Sequence, residues 1–102
     1  MSAYVLSEDA ELDLDDIWEY IARDNVDAAD RWTDKLFGAF DAIAQKPGIG
    51  HKREDLTDHP VFFFAVGAYL IIYRAIRRRV EIVAVTQGSR DIPRFLQRRL
   101  AR

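Results

Sequence analysis

The chain has 102 residues, of which 49% are hydrophobic and 31% charged, the balance of one globular domain (1–102) rather than a disordered or fibrous segment. It has no cysteine, which excludes a disulfide scaffold, a thiolate nucleophile and a cysteine-ligated zinc site. The net charge of −2 hides a division: residues 1–72 hold six basic and fifteen acidic residues, a net of −9, whereas residues 73–102 hold nine arginines against Glu81 and Asp91, a net of +7. Such asymmetry points to a basic face for an acidic partner.

In chain order, Ala3-Tyr4-Val5-Leu6 is a short β-prone stretch without the basic lead or long apolar core of an export signal. Ser7 offers an N-cap oxygen, and Glu8, Asp9 and Glu11 put negative charge in a first helical turn. Ala10, Leu14, Ile17, Trp18 and Ile21 recur at helical spacing and predict an amphipathic helix ending near Asp24-Asn25. Asp13, Asp16 and Glu19 fall off that stripe and read as a solvated acidic face. Ala29, Trp32, Leu36, Phe40 and Ile43 predict a second helix, stopped by Lys46-Pro47-Gly48. The short link makes the pair an antiparallel hairpin.

Residues 48–60 lack periodicity and read as a surface loop. From Val61 the residues become aromatic and β-branched, predicting strands at 61–64, 69–76 and 80–87 in an antiparallel meander. Gly67-Ala68 is expected as one turn, and Arg77-Arg78-Arg79 as a second, looser one. The apolar run from Val61 to Tyr73 spans 13 residues, short of the ~18–20 of a membrane-spanning helix, so a soluble, cytoplasmic protein is expected. Asp91 caps a last short helix with Ile92, Phe95, Leu96 and Leu100 on its apolar side. The order β-α-α-β-β-β-α, with helices segregated from an antiparallel run of strands, defines an α+β domain.

Few motifs carry chemistry. His51, Asp55 and His59 lie in the aperiodic loop, where nothing preorganises a metal site. No phosphate loop, dinucleotide fingerprint, nucleophile elbow or HExxH pattern occurs, so no catalytic residue, metal or cofactor is assigned. The arginines are the best lead. Arg74 shares a strand face with Leu70, Ile72 and Ile76 and needs an anion, a carbonyl or the sheet rim. Arg90 follows a strand end beside a helix start, where it can hold a carboxylate or phosphate, or pair with Asp91.

Tyr4-Val5-Leu6-Ser7, the helix Ala10-Glu11-Leu12-Asp13-Leu14-Asp15-Asp16-Ile17-Trp18-Glu19-Tyr20-Ile21, the strand Tyr69-Leu70-Ile71-Ile72-Tyr73-Arg74 and the stretch from Glu81 to Asp91 together resemble the ParE branch of the RelE/ParE superfamily of toxins. The resemblance covers nearly the whole chain. It implies an N-terminal strand, a helix hairpin, a three-strand meander joined into one sheet and a short C-terminal helix. It also implies a toxin of a type II toxin–antitoxin system, neutralised by a ParD-like antitoxin and inhibiting DNA gyrase by protein–protein binding. The alternative is a RelE-like ribosome-dependent messenger RNA endoribonuclease. Against it, Leu70 stands where those nucleases carry an arginine, Leu96 or a near neighbour where they carry a tyrosine, and arginine is a poor base. Arg74, Arg90, Trp32, Leu36 and Phe40 are the expected antitoxin contacts, and Arg94, Arg98 and Arg99 the expected target contacts. No direct DNA binding and no membrane association are expected.

Overall fold

A computed structural model describes residues 4–101; Ala3 of the first expected strand and Arg102 lie outside the described residues. The elements are β1 (Tyr4–Leu6), α1 (Glu8–Ala22), α2 (Val26–Gln45), β2 (Phe62–Val66), β3 (Tyr69–Ile76), β4 (Arg79–Gln87) and α3 (Ile92–Arg99). Each helix starts at a capping side chain: Ser7 accepts from the Ala10 N–H, Asn25 from the Ala28 N–H and Asp91 from the Arg94 N–H.

The strands form one sheet in the order β1-β4-β3-β2. The meander β2-β3-β4 is antiparallel, and β1 joins it in parallel alongside the first residues of β4, from Tyr4 opposite Val80 to Leu6 opposite Ile82. One face packs against the α1–α2 hairpin through Leu36, Phe40, Ile43, Ile71, Tyr73 and Ile82. The other is covered by α3, whose Ile92 and Leu96 meet Phe63, Ile72 and Ala84. Burial of these side chains is the main stabilising term.

Between Ile72 and Tyr73 the β3–β4 register shifts: Ile72 faces Ala84 but Tyr73 faces Ile82, leaving Val83 as a bulged residue on β4. The bulge changes the phase of β4, so that Ile82 and Val85, three residues apart, both belong to the α1–α2 side.

Two local expectations need correction. The stretch 48–60 is not wholly loop: Pro47–Ile49 form a 3₁₀ turn, and His51 bridges Phe63 beside β2. The Tyr73 hydroxyl fastens this turn, donating to the Pro47 carbonyl at 2.6 Å and accepting from the Gly50 N–H at 2.9 Å. A β-carbon on Gly50 would land on that hydroxyl, so glycine is required for close approach. The second hairpin turn is tight rather than loose, because β4 starts at Arg79 opposite Ile76 and leaves two residues between the strands. Arg77 takes φ 58, the positive value that such short turns demand.

Candidate binding groove

α1 and α3 lie on opposite faces of the sheet but meet at the edge of β4, because β1 pairs only as far as Ile82. Past that point the Val83 carbonyl receives the Ser7 hydroxyl at 3.2 Å and Nη1 of Arg99 at 3.0 Å. The Val85 N–H donates to Asp13 Oδ2 at 3.0 Å. Side chains thus take over where the neighbouring strand ends, and these edge groups are satisfied without one.

Asp13 and Arg99 hold the arrangement together. The carboxylate accepts from Nη1 at 2.9 Å and from Nη2 at 3.0 Å, a two-point bond between residues 86 apart in sequence, while Asp9 lies 3.7 Å from the Arg99 Nε. Both side chains of the Asp13–Arg99 pair are only 15% exposed. Hydrogen bonding to Asp13 raises the Arg99 pKa, against the opposing effect of burial and with further help from the charges of Asp13 and Asp9. This corrects two expectations. Asp13 is not part of a solvated acidic face, and Arg99 is a structural tie rather than a free contact for a target.

From that tie a stack is built outward. The Arg99 guanidinium lies 4.7 Å from the Phe95 ring centroid, and the Arg90 guanidinium lies 4.6 Å from the same ring. Arg90 also donates to Thr86 Oγ1 at 3.3 Å. Arg90 does not pair with Asp91, whose carboxylate instead caps α3 and lies 3.9 Å from Arg94. Arg90, Arg94 and Arg98 are exposed and line a groove of about 410 Å³ together with Phe95, Asp13 and Asp16. A guanidinium held by a ring and a hydroxyl loses little freedom when it binds, which suits it to carboxylate or phosphate recognition.

The other expected contacts are distributed elsewhere. Leu36 and Phe40 are completely buried beneath the sheet, which corrects their assignment as surface anchors: the apolar stripe of α2 is core. Trp32 is half-buried, edge-on to Tyr69 at 5.3 Å and beneath Lys35 at 4.8 Å. A β-carbon on Gly67, which has φ +59, would stand 2.5 Å from the Trp32 ring, so the β2–β3 turn is moulded around the indole. Arg74 finds its anion in Glu81, directly across the β3–β4 ladder at 2.8 Å. Leu96 is core and Leu70 packs on the same cluster, so the positions compared with nuclease residues carry apolar packing. Among the described residues no group of His, Asp and Glu is arranged to hold a metal ion.

The fold and groove define a class: a small α+β protein that presents fixed guanidiniums beside a sheet edge. Residues 4–92 match the family model for the ParE toxin of the type II toxin–antitoxin system, parDE. The chain is 37% identical over 90 residues to Toxin ParE1 of Caulobacter vibrioides, covering 87% of this chain and 92% of that relative. Its backbone is also similar to a solved chain of the chromosomal ParDE toxin–antitoxin system from P. aeruginosa, with a TM-score of 0.70 over 85% of this chain and 96% of the other, at 16% identity. The chain therefore belongs to the ParE toxin family. The matched span ends at the first residue of α3, so Arg94, Arg98 and Arg99 are features of this chain beyond it.

Proposed function

We propose that this chain acts as one cytoplasmic toxin domain that works by binding, inhibiting DNA gyrase, and that a ParD-like antitoxin holds it inactive. The observation that carries the reading is the Arg90–Phe95–Arg99 stack anchored on Asp13. It supplies fixed positive charge to a partner's carboxylates and offers little for proton transfer, since arginine stays protonated and Asp13 is engaged by Arg99 and the Val85 N–H. Arg90, Arg94 and Arg98 are the groups available to the partner, with Trp32 and Arg74 contributing only from the parts their own contacts leave open.

The test pairs a gyrase supercoiling assay with an in-vitro translation assay that reads message cleavage. Inhibited supercoiling that the antitoxin reverses, with messages intact, is the expected result. Cleavage of ribosome-bound messages with supercoiling untouched overturns it in favour of the endoribonuclease. In calorimetry at low salt, Arg90→Glu is expected to weaken antitoxin binding by about tenfold or more while the fold survives. Unchanged affinity removes Arg90 from the interface.

A further inference from the structure

Past Arg90 the arginine groove continues into a second hollow of about 240 Å³, between α1 and the last residues of β4. Asp13, Asp16 and Arg90 line both parts, whereas Tyr20 and Tyr69 belong to the second alone. The sign of the charge changes on the way. Arg94 and Arg98 lie only in the first part, and Arg90 is held there on Phe95. In the second part Asp13 is already bound by Arg99, while Asp16 is exposed and has no cationic partner among the described residues. Tyr69 is only 8% exposed, and its hydroxyl has no hydrogen-bond partner among the described residues. No fully enclosed polar side-chain atom goes unpaired among them, so that hydroxyl must open into the hollow its residue lines. Tyrosine hydroxyls in such buried positions usually meet a partner. Burial raises the Tyr69 pKa and the charge of Tyr20 raises it further, as expected of two neighbouring phenol oxygens.

We propose that the hollow beside Tyr69 is a subsite for an arginine side chain of the partner protein, seated next to the carboxylates that the groove holds. The inference rests on the reading of the groove as a partner-binding surface and adds to it a subsite of opposite charge. Asp16 supplies the counter-charge, the phenol oxygens of Tyr20 and Tyr69 accept N–H groups, and the exposed Tyr20 ring offers a face for stacking. A guanidinium suits these acceptors better than an ammonium, because its donors spread from one plane that also lies flat on a ring. A carboxylate or phosphate there would be repelled by Asp16, and an aliphatic chain would leave the Tyr69 hydroxyl unpaired. A bare metal ion finds no suitable group of ligands among the described residues. Arg90, on the border, sets the order: a carboxylate lies against it and the arginine lies further on, toward Tyr20. Residues two apart in an extended segment point to the same side about 7 Å apart, so aspartate and arginine at that spacing reach the two parts together.

The experiment uses the full chain in calorimetry and NMR with two probes: a short peptide with an aspartate two residues to either side of a central arginine, and the same peptide with glutamine for the arginine. The glutamine peptide is the more acidic, so general attraction to the groove arginines favours it. The arginine peptide is nevertheless expected to bind about fivefold more tightly and to shift the ring signals of Tyr20 and Tyr69 as well as the amides around Arg90. Asp16→Asn and Tyr69→Phe are each expected to abolish most of that preference while leaving the glutamine peptide's affinity nearly unchanged. Asp16 is exposed and Tyr69→Phe keeps the ring, so both variants are expected to fold. Equal or tighter binding of the glutamine peptide at the groove overturns the subsite and leaves the groove reading standing. Absence of binding around Arg90 by either peptide overturns both. A preference for arginine that survives both substitutions places the side chain elsewhere and overturns the proposal.

Discussion

The two arginine clusters share a charge but are built in opposite ways. At the groove, Arg99 is locked between Asp13, the Val83 carbonyl and the Phe95 ring, and Arg90 is held by the same ring and the Thr86 hydroxyl. At the hairpin tip, Arg77, Arg78 and Arg79 are exposed and unpaired among the described residues, and the turn holds them by backbone geometry alone. One cluster is preorganised by side-chain contacts, the other merely positioned by a tight turn. Preorganised charge forfeits little entropy on binding, whereas free charge steers encounter and responds strongly to salt. The sign of the charge does not tell the two surfaces apart; their anchoring does.

The contrast is broken most directly at Asp13. Replacing it with alanine leaves Arg99 half-desolvated and the Val85 N–H without its acceptor, at an expected cost of about 2–3 kcal/mol in urea denaturation. A loss below about 0.5 kcal/mol would mean that the groove is no better anchored than the tip. A smaller effect concerns Tyr73, a buried tie away from both clusters. Burial raises its pKa, partly opposed by the Gly50 hydrogen bond. Its neutral form therefore supports folding fully below the unfolded value of about 10, and that support is lost as pH rises from there through the folded value. Tyr73→Phe is expected to cost about 1 kcal/mol at pH 7 and to make the alkaline decline in urea midpoint shallower, with the part due to Tyr69, also raised by burial, remaining. The smallest change is expected at the tip. Arg77→Gly relieves the φ 58 conformation and gains about 0.5 kcal/mol, where deleting a tie at the groove would lose several times that. A destabilised Arg77→Gly variant would show that the Arg77 side chain does more than occupy the turn.

Local chemistry explains what was legible in the sequence. Ser7 and Asp91 cap helices where the capping rules place them, and the stripes of α1 and α2 mark the faces that meet the sheet. Gly67 marks its turn because the position needs a positive φ. What stayed hidden depends on pairings remote in sequence. The stripe of α1 separates core from solvent but cannot show that its flank, at Asp13, meets the exposed edge of β4 and the last turn of α3. Arg74 read as an arginine seeking an anion, yet Glu81 became its partner only once the β3–β4 register was known. Phe95 read as an apolar residue of α3, and nothing local marks it as a ring that two guanidiniums approach. Leu36 and Phe40 were legible as an apolar stripe, but a stripe alone does not say whether core or partner covers it.

The bulge at Val83 makes β4 a strand with two phases. Its first part serves a frame shared with β1, and its last part serves a frame shared with α1 and α3. Deleting that one residue would restore an unbroken ladder with Ile82 and Val85 still on one face, but it would remove the Val83 carbonyl that receives the Ser7 hydroxyl and Arg99. Val83 therefore works through its main chain, and its presence matters more than its side chain. Natural variation there should favour exchange of one residue for another over its loss.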